Sequence, residues 1–375
     1  MVGRSPSASA AAVFIRPREW MSPTRSRGAV DMRASIIVPS ARPRHDVRVT
    51  MESLSAASSG RDDVEILLVD NNAQEDTAAE LRDYCASLAG RVRYVREPRR
   101  GATAARHRGV DESQGDILIF VDDDVEASSG WLKAIRQGFE NPEVGVIGGP
   151  SLPRFTGPVP AWFWDFLTPT PLGGWSCTWL SLLDIGHGVI AIDPNWIWSL
   201  NLSIRRSTFE RAGGFHPGLV PASLQRWQGD EETGLAIRLR SDGVRTDYVE
   251  EAQVFHRCGA ERLTPEYFAR RAFYQGVCDS FGRIRYGPTP VPGSTLHTHQ
   301  PLSRKCRAMA ERLLRKVTRP RSRWGREASA VWDMAEKAHV AGWHFHQTEV
   351  ASDPRLLAWV RRPDFRDADI RREMT

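Results

Sequence analysis

No run of about eighteen apolar residues occurs anywhere in the 375-residue chain, so the sequence shows no membrane-spanning helix. Cysteine is sparse. Cys85, Cys177, Cys258, Cys278 and Cys306 are odd in number and widely spaced. No Cys-x-x-Cys pair is present, which argues against a zinc knuckle or a redox motif and favours reduced thiols in a cytosolic protein. Lysine is scarce beside arginine, and 51 basic against 46 acidic residues leave a formal charge of only +5. A pI near 9.1 permits a nucleic-acid partner without requiring one. The Gly-x-Gly-x-x-Gly pattern that a dinucleotide oxidoreductase needs after its first strand is missing. So is the glycine-rich basic loop expected there in a nucleotidyltransferase; Pro39-Ser40-Ala41-Arg42 stands in that place instead. No internal repeat or long low-complexity tract was found.

What is present suits a globular protein: 41% hydrophobic and 26% charged residues can build a core, and they exclude disorder of the whole chain. Residues 1–31 are rich in Ser, Ala, Arg and Pro and read as a disordered leader, with Met32 as an alternative start. The weakly apolar Ala8–Ile15 stretch is cut short by Arg16, Arg18 and Glu19, which disfavours a signal peptide.

From Ser35 onward strands and helices alternate. Ser35–Pro39, Val64–Val69, Val92–Val95 and Asp116–Val121 are short apolar runs that predict buried strands. Helices are expected over 46–59, from about Asp76, and over Ala102–Ser113. This alternation implies right-handed crossovers and a mostly parallel sheet. Its polar clusters follow the carboxyl ends of strands, where open α/β sheets bind ligands. Residues 153–198, full of Pro, Gly and Trp, read as irregular. A strand over Leu200–Ile204, a short helix over Ser207–Ala212, a helix over Glu231–Arg240 and one or two strands over Val244–His256 follow. Residues 287–301 read as a linker and 302–375 as a basic helical extension, whose Leu302, Cys306, Met309, Leu313 and Val317 recur at helical spacing.

Four clusters carry candidate chemistry. Asp122-Asp123-Asp124 follows the strand Ile119-Phe120-Val121, and packed carboxylates of this kind call for a cation; hard ions such as Mg²⁺ and Mn²⁺ suit oxygen ligands and bridge to phosphates. A solvated acidic turn is the alternative. Asp70-Asn71-Asn72 supplies either groups that read a base edge or plain turn chemistry. Arg106, within Gly101–Gly109, either pairs with a diphosphate, is a surface charge, or is tied to Asp122. Asp230-Glu231-Glu232 opens a helix; it either complements the helix dipole or provides a general base for a hydroxyl.

Taken in order, these residues resemble the bacterial members of glycosyltransferase family 2 with the GT-A fold. The likeness runs from about Ser35 to Arg285 through Val38-Pro39, Val69–Asn72, Gly101–Gly109, Asp122-x-Asp124 (a DxD motif), Asn201–Ile204 with Ala212–Phe215, and Gly229–Leu239. The resemblance implies an α/β GT-A domain over 32–286. It implies that Pro39, Ser40 and Arg42 line a donor pocket, that Asp70 and Asn72 meet the base, uracil by preference, and that Arg106 lies near the base or phosphates. Asp122 and Asp123 would face the donor, Asp124 and Asp122 would ligate a divalent metal (Mn²⁺ or Mg²⁺), and His256 would join that metal site. Glu232, placed by its distance from Arg238-Leu239, would be the catalytic base, with Glu231 or Asp230 as substitutes. His107 stands where the family often has Asn.

The resemblance further implies direct displacement with inversion, from a nucleoside-diphosphate sugar to a carbohydrate or lipid-linked acceptor hydroxyl, in cell-envelope glycan or glycolipid synthesis. A cytoplasmic protein is expected, peripheral to the inner face of the plasma membrane if the basic helix lies on anionic lipid, and without a nucleic-acid partner. The crowded Trp162, Trp164, Trp175, Trp179, Trp196 and Trp198 either pack under long loops or stack on sugar rings. A nucleotidyltransferase and a non-catalytic nucleotide-sugar-binding pseudoenzyme are the competing readings.

Overall fold

A computed structural model describes residues 32–72, 74–88, 92–186, 188–287 and 325–374. The leader, almost all of the linker and the basic helix expected over 302–317 lie outside the described residues.

The chain opens as the alternation predicts: β1 (Ala34–Ser40), α1 (Arg44–Ala57), β2 (Val64–Asp70), α2 (Glu75–Ser87), β3 (Val92–Arg96), α3 (Ala102–Glu112) and β4 (Ile117–Phe120). These strands pair in parallel in the order β4-β1-β2-β3. Each sequence-based boundary falls within about two residues of the observed one, as expected where helix ends fray. Strands buried on both faces read as continuous apolar runs. Along β1, Ile36 and Val38 pack on one side with Val47, Met51 and Leu54 of α1, while Ile37 packs on the other with Ala105 and Val110 of α3.

The sheet continues beyond β4 through β12 (Leu202–Arg205), β6 (Val144–Gly148), β13 (Arg245–Val249) and β11 (Val189–Ala191), eight strands in all. β12 is antiparallel to both its neighbours and β11 is an antiparallel edge; β13 runs parallel to β6. Between these elements lie α4 (Trp131–Gly138), α5 (Arg206–Arg211) and α6 (Glu231–Ser241).

A second sheet of six strands was not expected from the sequence. It comprises β5 (Val125–Ala127), β14 (Val254–Cys258), β7 (Ser151–Phe155), β10 (Leu182–Asp184), β9 (Trp175–Cys177) and β8 (Thr168–Pro169), in that spatial order. Four of them come from the stretch read as irregular. Strands of two to five residues are too short to show an alternating pattern. The tryptophans of this stretch divide: Trp162 is buried with Phe163, Phe166 and Phe268, and Trp179 stacks on Trp332 at 5.6 Å, whereas Trp164 is 52% exposed.

Past the sheets the chain forms a long helix, α7 (Pro265–Tyr286), which packs along α8 (Arg326–Ser352). Two glycines let the backbones meet: a Cβ at Gly276 would lie 2.0 Å from the His339 carbonyl oxygen, and one at Gly342 would lie 2.1 Å from that of Phe273. α9 (Pro354–Arg361) and α10 (Ile370–Met374) complete the described chain, so the extension is helical where it is described. Among the described residues no helix is long and apolar enough to cross a membrane.

Candidate active site

Sheet register gathers the polar residues. Ser40, Asp70 and Arg96 stand in one row at the carboxyl ends of β1, β2 and β3. Phe120 pairs with Ile37, so the Asp triplet emerges beside Pro39 and Ser40. β14 pairs His256 with Val125, the residue after Asp124.

The three aspartates engage different partners. Asp122 accepts from Arg106 Nη2 at 2.9 Å. Asp123 accepts from Ser40 Oγ at 2.6 Å, with Arg42 Nε at 3.3 Å. Asp124 accepts from Arg42 Nη2 at 3.0 Å and from Arg262 Nη2, and His256 Nε2 lies 3.3 Å from its other oxygen. Backbone carbonyls fix the turn: Thr50 Oγ1 donates to Asp123 O at 2.9 Å and Arg257 N to Asp124 O at 2.8 Å. Burial, with the charge of Asp124 beside it, pushes the Asp123 carboxyl up to about 7. Burial works in the same direction on Asp124, but His256, Arg262 and Arg42 outweigh it and hold this carboxyl well below the usual carboxylate range.

Among the described residues no three His, Cys, Asp or Glu side chains stand together as a ready metal cage. Two donors do converge. His256 Nδ1 donates to the Leu180 carbonyl at 2.8 Å, which leaves Nε2 on the Asp124 side, 3.3 Å from Oδ1. Adjacent ligands of an octahedral ion with bonds of about 2.1 Å are roughly 3 Å apart, and the 3.3 Å between Asp124 Oδ1 and His256 Nε2 matches that spacing. Asp124 and His256 therefore fit a hard divalent ion, while Asp122, expected as a further ligand, is turned to Arg106.

Arg106 is 1% exposed and so is not a surface charge. Its Nε and Nη1 have no hydrogen-bond partner, and Glu231 and Glu232 lie close enough to raise its pKa after Asp122 does so, against burial. On that side the chain enters α6. Glu231 holds φ +44°, a left-handed conformation that is costly for a residue with a side chain. Its side chain lies over the bare backbone of Gly218, where a Cβ would fall 1.7 Å from Glu231 Cγ. Burial first, and then the neighbouring Glu232, push the Glu231 carboxyl up to about 8 against the pull of Arg106 and Arg271. Glu232 Oε2 is buried without a partner. Asp230 is engaged on one oxygen: His216 Nδ1 lies 2.5 Å from its Oδ1, and His216 Nε2 meets Arg238 Nη1 at 2.6 Å, while its Oδ2 is buried without a partner.

At the nucleotide end, Asp70 is fully buried and accepts from Tyr94 Oη and Arg96 Nη1, each at 2.7 Å, and from Asn72 N at 2.8 Å. A base would reach it only after Tyr94 or Arg96 moved aside. Asn72 Nδ2 donates to Ala41 O at 2.9 Å, tying two strand-end loops together. Asn71, read with Asp70 and Asn72 as base-edge or turn chemistry, clamps the edge: its Nδ2 donates to Glu97 O and Arg99 O, and its Oδ1 accepts from Gly101 N at 3.0 Å. Arg96, His216 and Arg262 were missed by sequence reasoning, since lone Arg and His residues carry no local pattern. His107 is no donor contact here. It is buried, accepts from Phe215 N at 3.0 Å, and burial pushes its pKa down to about 3.

Comparison with known proteins matches residues 35–171 to "Glycosyl transferase family 2". The glucosyl-dolichyl phosphate glucuronosyltransferase of Haloferax volcanii is 24% identical over 214 residues, 56% of this chain and 64% of that protein. The succinoglycan biosynthesis protein ExoM of Rhizobium meliloti is 26% identical over 132 residues, 34% of this chain and 43% of that protein. The chain thus spans less than two thirds of either relative. Among solved structures, the mannosyltransferase PcManGT of Pyrobaculum calidifontis, in complex with GDP-Man and Mn²⁺, shares the fold with a TM-score of 0.51 at 18% identity, covering 88% of this chain and 86% of that one. Residues 35–171 thus resemble glycosyltransferase family 2, and the architecture of the chain is that of the GT-A fold.

Proposed function

We propose that the protein is a metal-dependent, inverting glycosyltransferase that moves a sugar from a nucleoside-diphosphate sugar to an acceptor hydroxyl, in glycan or glycolipid synthesis. The observation that carries this reading is Arg106, paired with Asp122 of the DxD turn and within electrostatic reach of Glu231 and Glu232 at the start of α6. Single displacement with inversion needs a carboxylate that takes the proton of the acceptor hydroxyl while the hydroxyl oxygen attacks the sugar carbon from the face opposite the leaving diphosphate.

In this reading Glu232 takes the proton from the acceptor hydroxyl. Glu231, whose carboxyl is pushed up by burial and by Glu232 beside it, is the alternative base. Ser40 and Arg42, already bound to Asp123, border the diphosphate, and the row of Asp70, Asn72 and Arg96 receives the base. Asp124 and His256 would hold the divalent ion. When bound, it supplies positive charge to the leaving diphosphate. A uridine nucleotide remains the donor proposed from the sequence; the structural neighbour binds GDP-Man, so the guanosine class belongs in the same trial. A lipid-linked acceptor is in keeping with the dolichyl-phosphate substrate in the name of the Haloferax relative.

The test is turnover of UDP-, dTDP- and GDP-sugars with Mn²⁺ or Mg²⁺, read as released nucleoside diphosphate in the presence of a mixed acceptor extract. Metal-dependent release that falls at least a hundredfold in both Asp124→Asn and Glu232→Gln supports the assignment. No release and no metal-dependent nucleotide binding from any donor would overturn it.

A further inference from the structure

The His256 nitrogen that fits a divalent ion, and the second oxygen of the Asp124 carboxylate, are already held by an arginine of the same chain. Arg262 ends a 3-10 turn (Ala260–Arg262) directly after β14, and the turn is closed by Arg262 N donating to Gly259 O at 3.0 Å. Its planar fork spans two acceptors. Nη2 donates to Asp124 Oδ2, and Nη1 lies 2.7 Å from His256 Nε2. With Nδ1 of His256 committed to the Leu180 carbonyl, the Nε2 lone pair is what receives that donor. Arg42 adds a second guanidinium at 3.0 Å from the same Asp124 oxygen.

A guanidinium and a metal ion cannot use one lone pair at the same time. Nor is a dication tolerated beside two fixed cations in a pocket where Asp124 and His256 are both buried, because charge–charge repulsion is weakly screened there. The two guanidiniums differ in anchorage. The Arg42 side chain is 39% exposed and rests on one carboxylate oxygen of Asp124 and one of Asp123, whereas that of Arg262 is 14% exposed and bridges both prospective ligands.

From this we infer that Arg262 is a built-in competitor for the metal position: it occupies Asp124 and His256 while the ion is absent, must leave them for the ion to bind, and thereby sets the affinity of the site. This rests on the assignment of Asp124 and His256 as metal-binding residues proposed above. Its consequence is a site that stays neutralised and ordered without metal and takes metal only when the guanidinium is released.

The experiment is Mn²⁺ titration of the full chain, without nucleotide, followed by the electron paramagnetic resonance signal of free Mn²⁺. Wild type, Arg262→Gln, Arg262→Lys, Asp124→Asn and the Arg262→Gln/Asp124→Asn double variant are compared, with thermal melts to verify folding. Arg262→Gln is expected to bind Mn²⁺ at least tenfold more tightly than wild type, with the gain lost in the double variant. Arg262→Lys keeps the charge without the fork and is expected to fall between the two, which keeps the inference testable if the glutamine variant does not fold. Unchanged or weaker binding in the Arg262 variants, with Asp124→Asn still weakening wild-type binding, would overturn the inference and leave the metal site standing. Mn²⁺ binding indifferent to Asp124 in every background would overturn both.

Discussion

Arg106 Nη2 lies 2.9 Å from Asp122 Oδ1, and this one contact ties the helix α3 to the acidic turn after β4. The guanidinium is buried, within electrostatic reach of Glu231 and Glu232, and its carbon lies 5.6 Å from the centre of the Phe215 ring. Removing one partner of a buried ion pair leaves the other charge uncompensated, which costs more than the pair itself contributes. Arg106→Met should therefore lower stability by about 3 kcal/mol, seen as a lower urea midpoint with an unchanged slope. Arg106→Lys should recover only part of it, since an ammonium cannot reproduce the fork. A variant as stable as wild type would show that Asp122, Glu231 and Glu232 do not depend on this charge.

The raised Glu231 carboxyl makes stability fall with alkaline pH. The group has a pKa near 4.5 when the chain is unfolded and about 8 when folded, so between these values the folded state binds more protons. Stability on this account decreases as pH rises through that window, and above about 8 the whole cost remains. Asp123, pushed up to about 7, acts in the same sense. Glu231→Gln should therefore give a shallower decline between pH 6.5 and 8.5, by up to about 1.4 kcal/mol per pH unit for one proton, without abolishing it. Thermal melts across that range decide the matter; parallel curves for the two proteins would refute the assignment.

The sequence was most legible where one residue type serves one purpose. The strands β1, β2 and β4 are apolar because both faces are covered, and Asp122 to Asp124 follow because a sheet edge is where polarity resumes. Relations between distant residues were not legible. Nothing local in Arg262 announces that it meets Asp124, 138 positions earlier. Helix α7 escaped notice for a different reason. Its Thr264 cap and Pro265 start are ordinary signals, but its buried face alternates Phe268 and Phe281 with Ala272, Gly276 and Ser280, and small contact residues erase the apolar stripe that reveals a helix.

Gly218 and Glu231 are packed so closely that the glycine is a requirement of the carboxylate's position. A Cβ at residue 218 would fall 1.7 Å from Glu231 Cγ and 2.0 Å from its Oε1. Gly218→Ala must displace the Glu231 side chain, already on a strained backbone, and overpacking of this kind costs about 1–3 kcal/mol. The same displacement disturbs Glu232 next to it. Turnover is expected to fall at least tenfold with metal affinity unchanged, since Asp124 and His256 belong to other elements. Normal turnover in a folded Gly218→Ala protein would show that the geometry of this turn is not needed.

The C-terminal helix α9 is part of the folded core through Trp359. Its Nε1 donates to Trp227 O at 2.9 Å, its ring meets Trp227 edge-on at 5.5 Å, and it contacts Phe365 at 5.1 Å. Phe365 in turn packs on His216 at 5.1 Å, and His216 holds Asp230, one residue before Glu231. Trp359→Ala removes a ring that is 2% exposed and leaves the Trp227 carbonyl without its donor, a loss of about 3–5 kcal/mol. Trp359→Phe refills much of the space but not the hydrogen bond, and should cost less, about 1–2 kcal/mol. Urea unfolding of the three proteins measures the order. If the extension were an independent appendage, Trp359→Ala would leave the main transition unmoved; a common, shifted transition is expected instead, because Trp227 and Phe281 in the same buried cluster precede the extension in the chain.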